Sequence, residues 1–383
     1  MTNRRNWNLA IATALVAPIL AKAEIKPTPL PMPAAKTPEV PSAGGPVVTL
    51  RVQTAYPDGE FLASFGKLWA DRVNILGLGQ LKVEFLNVNT VAKTFDVLPA
   101  VSQGKLDGGI TFPGYQHGID PAFSLWATGT AFGLDSRMIF AWQKYGGGQE
   151  LMADLYKSKG LDVHSILFLP LPTQPLGWFK KNITKVDDIK GLKFRTTGLS
   201  LEIWKELGAS VNPLPGSEVA PALQKGQLEG GDFNNLTSDR SLGYNKYAKY
   251  CMLQSYAKAT NSLEIVFNQK VWEGLSPTHR AVLETAANAI SAESAQLIAD
   301  KNSRDYMELS ESGTTFVRTP ETILQAQLNA WDKVIMRHSS QDPRFAKIAQ
   351  SQKEYAKRVT RWQGDVEVDY RNVYNHYFSR RLV

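Results

Sequence analysis

From residue 47 onward the hydrophobic positions switch between two periods. The stretch "VVTLRVQT" (47–54) alternates apolar and polar residues, as a strand with one buried face does. Over 60–76 the apolar side chains Phe61, Phe65, Leu68, Trp69 and Val73 recur at helical spacing and share one face. "LKVEFLNV" (81–88) returns to alternation. Then comes "VLPAVSQGKLDGG" (97–109), read as an amphipathic helix closed at Gly104 by a left-handed cap and followed by a short buried strand. The same phrase returns at Val219 as "VAPALQKGQLEGG". The two align without a gap as V-x-P-A-[VL]-x-x-G-x-L-[DE]-G-G, with Gly226 in the role of Gly104.

A repeated helix-glycine-strand unit argues for two lobes of one plan. The second lobe reads as "LDVHSILFLPL" (161–171) for a strand, then "VDDIKGLKFRTTG" (186–198) for a helix stop and another strand. A helix over 199–207 and a short strand in "ASVNPLP" (209–215) follow. Alternating strands and helices predict α/β lobes with largely parallel sheets. Beyond a further strand at 263–268, Ser276 is placed to cap a helix with Pro277 at its first position, running to about Leu309. Helices also fit 320–338 and 344–362.

The predicted organisation is a signal peptide (1–23), a Pro-rich tether (24–46), an α/β lobe I (47–165) and an α/β lobe II (166–268) whose chain crosses back near its end. Backing helices (269–341) and a C-terminal helix with its tail (342–383) complete it. The fold class is therefore α/β, a two-lobed periplasmic binding protein with a long backing helix, in which a ligand sits between lobes that close on a hinge.

The amino terminus supports export. Arg4 and Arg5 precede an apolar run (9–20) too short to span a membrane, and Ala21-Lys22-Ala23 gives a small-x-small cleavage pattern. The arginine pair suggests the twin-arginine route; Asn8 interrupts the apolar pair expected after it, which leaves Sec export open. Seven prolines between 24 and 46 make an extended tether. Cys251 is the single cysteine, which excludes an internal disulfide and an amino-terminal lipid-anchor cysteine, so the exported product is expected to be soluble and periplasmic. The formal charge of +7 falls once Arg4, Arg5 and Lys22 are removed. No Lys/Arg block of the kind that binds nucleic acid is present.

The segments "FDVLPAVSQGKLDGG", "YQHGIDPAF", "TQPLGWFKKNITKVDDIKGLKFRTTG", "GSEVAPALQKGQLEGGDF" and "YNKYAKY" resemble the solute-binding subunits of tripartite ATP-independent periplasmic (TRAP) transporters. The resemblance runs in order from about Val48 to Leu309, and points to the branch that binds α-keto acids and lactate. It implies capture of a small organic acid and its delivery to ion-gradient-driven TRAP permease subunits. It also implies that the carboxy-terminal helix can swap between subunits to make a homodimer, with 344–362 as the candidate element. A binding protein that serves an ATP-driven importer or a sensor would have the same architecture and stays open as the alternative.

Arg195, in "KFRTTG", carries a permanently charged fork whose parallel N–H groups match a carboxylate. The family's carboxylate-clamping arginine falls on it. Gln174, at a strand end in "LPTQPLGWF", offers an amide oxygen to a hard cation or to an oxo or hydroxyl group. The resemblance places the family's metal-binding glutamine there. It makes Asp232 and Phe233 the counterparts of an acid that helps hold a cation and a tryptophan that closes on the ligand. First-lobe contacts are expected from Tyr115, Tyr56 and Gln116, and Ser238 stands where the branch has asparagine. No cofactor is required; a sodium or calcium ion at the ligand site is implied by the resemblance alone.

One departure bears on that ion. Lys258 stands where a second metal-ligating glutamate is usual, and an ammonium cannot coordinate a cation. It either replaces the metal as the local positive charge or reaches a second anionic group of a larger ligand. Gly114, where the branch often has a second tyrosine, and Phe233 suggest a roomier cleft.

No enzyme is expected. Ser64 and Lys67 in "SFGK" match S-x-x-K, but no K-T-G follows. His117, His164, His279, His338 and His376 are scattered without metal spacing, and neither G-x-S-x-G nor a P-loop occurs.

Overall fold

The computed structural model describes residues 46–378. The expected signal peptide, the expected tether up to residue 45 and the residues from 379 on lie outside the described residues. In chain order the strands are β1 (Val48–Thr54), β2 (Leu81–Leu86), β3 (Gly108–Thr111), β4 (Val163–Leu171), β5 (Gly177–Phe179), β6 (Lys193–Arg195), β7 (Ser210–Asn212), β8 (Gly230–Gly231), β9 (Tyr250–Leu253), β10 (Asn261–Asn268) and β11 (Thr315–Arg318).

They form two sheets, ordered β2-β1-β3-β10-β4 and β11-β9-β5-β8-β6-β7. Each sheet has a parallel half, with β1 between β2 and β3 in the first and β6 between β7 and β8 in the second. Each also holds a strand antiparallel to both neighbours, β10 in the first and β5 in the second. The expectation of largely parallel sheets is corrected to mixed ones. The reversed strands mark where the chain changes lobe, from β4 into β5 and from β9 back into β10. Two strand-to-strand crossings thus join the lobes, and the chain crosses again through its helices, first along Pro277–Glu311 from β10 to β11; paired strand crossings of this kind can act as a hinge.

The duplicated phrase has a packing reason. Both copies form a short helix, Val97–Ser102 and Gly216–Gln224, and both are followed by a glycine with positive φ, 73° at Gly104 and 72° at Gly226. The closing Gly-Gly opens or forms the central strand of its sheet. A side chain at the second glycine would strike the valine that begins the repeat, at 2.5 Å from Val97 Cγ1 for Gly109 and 3.0 Å from Val219 Cγ1 for Gly231. The first glycine lies under a ring of the reversed strand, Phe267 over Gly108 and Phe179 over Gly230. Valine and paired glycines recur together because helix, strand and ring meet there at backbone distance.

Two sequence boundaries move. Residues 161–171 contain β4, the edge of the first sheet, so the boundary expected between 165 and 166 falls inside a strand and the first crossing comes after Leu171. Alternation identifies a strand but not its sheet. Within the region expected to hold only backing helices, β11 pairs in parallel with β9.

The long helix Pro277–Glu311 begins at Ser276, whose hydroxyl accepts from His279 N. Its first half lies on the first lobe, where Trp69 Nε1 donates to Leu283 O and Leu169 N to Ser291 Oγ. Its second half meets the second lobe through Asn302, which accepts from Thr237, and Asp305, which pairs with Arg240. At 1.5 Å per residue it spans roughly 50 Å. The helix Glu321–Gln341 packs on the second lobe near Glu202 and Glu206, while Pro343–Val366 lies on the first, where Gln352 Nε2 donates to Leu125 O.

Candidate functional site

Arg195 ends β6 directly opposite Gly231 of β8. A Cβ on Gly231 would sit 3.2 Å from the Arg195 Cβ, so the bare glycine leaves the arginine room to turn inward. The side chain is 1% exposed. Nε donates to Leu214 O at 2.8 Å, and Nη1 to Asp232 O at 2.6 Å and Asp232 Oδ1 at 3.3 Å. Nη2 has no hydrogen-bond partner among the described residues. Asp232 compensates the buried charge, and two of the three guanidinium nitrogens hold the fork in place. The third is left under-bonded, which costs about 1–3 kcal/mol until an acceptor arrives.

Arg195 lines a cavity of ≈ 10 Å³ between the lobes, room for about one water. The first lobe contributes Tyr56, Tyr115 and Asn261, and the second Arg195, Thr197 and Phe233. The Tyr56 ring lies 6.4 Å from Tyr115 and 6.5 Å from Phe233, and the Arg195 guanidinium stacks 5.7 Å from the Phe233 centroid. Burial, partly offset by Arg195, pushes the Tyr115 hydroxyl up to about 12, and burial likewise holds Tyr56 well above its ordinary value. Both stay neutral donors. A larger depression of ≈ 610 Å³ lies around Lys180, Asp188 and Lys190 on the second lobe, but no buried unpartnered polar atom opens onto it among the described residues.

Behind the wall sits Lys258, 2% exposed, with Nζ 3.0 Å from Asp232 Oδ1 and 3.2 Å from Thr197 Oγ1. The remaining Asp232 oxygen accepts from Thr196 Oγ1 at 2.8 Å. Burial pulls the ammonium pKa down while Asp232 resists. Gln174 is also buried; its Nε2 donates to Phe233 O at 3.0 Å and its Oε1 has no partner among the described residues. Gln174, Asp232 and Lys258 therefore form a layer behind the cavity.

Gln116 is buried with Nε2 unpartnered, and it does not line the cavity. Ser238 is buried near Glu60, its hydroxyl without a partner among the described residues, and it does not line the cavity. Gly114 opens no space, because a Cβ there would lie 2.4 Å from the Phe112 ring. The roomier cleft expected from Gly114 and Phe233 is corrected to a tight one in this conformation.

Other residues were missed by sequence reasoning. Asn261 and Thr197 reach the cavity from a strand end and a loop, and their residue types carry no signal. Glu60, Asp239 and Glu264 are buried acids within the folded core around the site. Glu60 caps the helix Phe61–Leu76 by accepting from Leu62 N and Ala63 N, a role that an acid before an apolar run could have suggested. The scattered histidines are partly gathered: His117 Nε2 and His338 Nε2 lie 3.3 and 2.7 Å from Glu202 Oε1, beside Arg337. Those partners are too far apart in the chain for any spacing rule to connect them.

The family described as bacterial extracellular solute-binding protein, family 7, matches residues 52–342. A monocarboxylate 2-oxoacid-binding periplasmic protein of Nostoc sp. is 28% identical over 335 residues, covering 86% of this chain and 90% of the relative. Among solved structures, a TRAP transporter solute-binding protein from Bordetella bronchiseptica RB50, with calcium and picolinate, superposes with a TM-score of 0.82 at 24% identity, covering 88% of this chain and 98% of that one. Another, from Pseudoalteromonas atlantica T6c with sodium and pyruvate, gives 0.79 at 24% identity, covering 87% and 99%. These likenesses carry the two-lobed fold.

The buried acids give stability a pH dependence of definite sign. Glu264 accepts from Tyr156 Oη at 2.6 Å and Ser165 Oγ at 2.7 Å, and burial, against those bonds, raises it to about 7. Below its unfolded value near 4.5 it is protonated in both states; as pH rises toward 7 the unfolded chain ionises first, so stability falls. Melting temperatures of the wild type and Glu264→Gln measured from pH 5 to about 7.5 are expected to show a shallower decline for the variant. Identical slopes would contradict the assignment.

Proposed function

We propose that this chain, which belongs to the bacterial extracellular solute-binding protein family 7, captures a small organic acid between its lobes and delivers it to the membrane subunits of a TRAP permease. The observation that carries this reading is Arg195 Nη2, a buried charged donor without a partner among the described residues, on a side chain that lines the cavity between the lobes. A carboxylate oxygen supplies the missing acceptor. Monocarboxylate 2-oxoacids are in the name of the Nostoc relative, and picolinate and pyruvate accompany the two solved structures. All are small acids with one carboxylate.

Capture requires motion. A cavity that holds about one water must widen to admit several heavy atoms, and the two crossings, β4 to β5 and β9 to β10, are where the lobes can part. The acid favours the closed form only through contacts made there and not in the open one. In this reading Arg195 binds the acid first from the second lobe, and Tyr56, Tyr115 and Asn261 complete the contacts when the first lobe closes.

Delivery places the protein outside the cytoplasmic membrane, with the leader cut near Ala23. The C-terminal helices favour a homodimer. No residue of Tyr370–Phe378 is buried, and Tyr370, Tyr374, Tyr377 and Phe378 are exposed together with Trp362. Native mass spectrometry of the periplasmic protein is expected to give twice the mass of a chain that starts at Glu24. A monomer contradicts the dimer; a retained leader contradicts the cleavage.

Isothermal titration with pyruvate, lactate and picolinate tests the central reading. Arg195→Ala is expected to weaken binding by about 2–5 kcal/mol, roughly 30-fold or more, with a native circular dichroism spectrum as the control for folding. Unchanged affinity in a folded variant would refute capture by this residue.

A further inference from the structure

The solved structures with bound acids described above hold calcium or sodium as well. The residues of this chain do not fit such an ion. The carboxylate in contact with Arg195 and Lys258 is Asp232, and both its oxygens are engaged, Oδ1 by Lys258 Nζ and Arg195 Nη1 and Oδ2 by Thr196 Oγ1. Calcium takes six to eight oxygen ligands and favours carboxylates. Among the described residues no group of three His, Cys, Asp or Glu side chains could hold a metal. The Gln174 amide is turned so that its nitrogen engages the Phe233 carbonyl, which leaves its own Oε1 as the one free acceptor of that pair. An added cation at Asp232 would join two fixed cations that already share that carboxylate, and like charges in a desolvated layer repel strongly.

We infer that the Lys258 ammonium takes the place of a metal ion in this chain, so that the acid is held by Arg195 with Lys258 behind it and binding needs no added cation. The inference rests on the reading of the cavity as a carboxylate site. The ammonium is built into position: Gly129 N donates to Ala257 O at 2.8 Å and Ala259 N to Gly129 O at 3.2 Å, which pins the backbone on either side of Lys258. Two contacts fix its head, Asp232 and Thr197, and an ammonium has a third N–H to give. Thr197 itself lines the cavity, so the charge lies one side chain from the ligand.

Around Asp232 itself the two cations Arg195 and Lys258 outnumber the one carboxylate, which favours the approach of one further carboxylate over two.

The test is calorimetric titration of chelator-treated protein in a buffer free of sodium and calcium, with pyruvate, lactate and succinate, repeated after adding each cation. Wild type is expected to bind a monocarboxylate within about twofold of the same affinity in every condition, and succinate at least about tenfold more weakly. Lys258→Met is expected to lose at least about tenfold without cation, and Lys258→Glu to bind only when calcium or sodium is present. Wild-type affinity that collapses without cation and returns with it would overturn the role of Lys258 while leaving the carboxylate site standing. So would a folded Lys258→Met that binds as wild type does. If wild type binds none of the acids in any condition, the carboxylate site itself fails. Should Lys258→Met not fold, the wild-type comparison with and without cation decides the matter.

Discussion

The structure turns on a buried guanidinium held open at one corner. Removing a charge from water is costly unless a partner and hydrogen bonds repay it, and Arg195 receives most of that from Asp232 and Leu214 O. The arrangement stops short of completion at Nη2. A fully paired arginine there would be a structural ion pair; the unpaired corner is what the proposed capture of an acid uses. Fixing the other two nitrogens removes the conformational freedom that a ligand would otherwise have to quench.

The duplicated plan explains how such a residue comes to face a gap. Each lobe brings a helix and a paired glycine to the centre of its sheet, and in the second lobe Gly231 also clears the space beside Arg195. The strand stops at Gly231, which delivers Asp232 and Phe233 to the cavity region at once. The reversed strands β5 and β10 tie the lobes together by two crossings, and the helix Pro277–Glu311 runs behind both. Asp232 and Phe233 therefore follow from one repeated motif and its divergence after the second glycine, while Arg195, Tyr56 and Tyr115 reach the cavity from elements outside it.

Much of this was legible in the chain. The capped glycines at Gly104 and Gly226 and the Ser276 cap rest on local chemistry, and they stand where the sequence places them. The sheet that β4 joins, the parallel pairing of β11 and the contact of Lys258 with Asp232 rest on tertiary pairing between distant segments, for which alternation and spacing carry no information. Gly114 was read as space because it lacks a side chain, yet Phe112 fills that volume from two residues away. Small residues make room only when no neighbour takes it.

The most direct test of the account is a crystal structure of the protein with a bound monocarboxylate. One carboxylate oxygen is expected about 3 Å from Arg195 Nη2, with the Asp232 contacts of that arginine retained. An acid bound elsewhere, with Nη2 still lacking an acceptor, would contradict it.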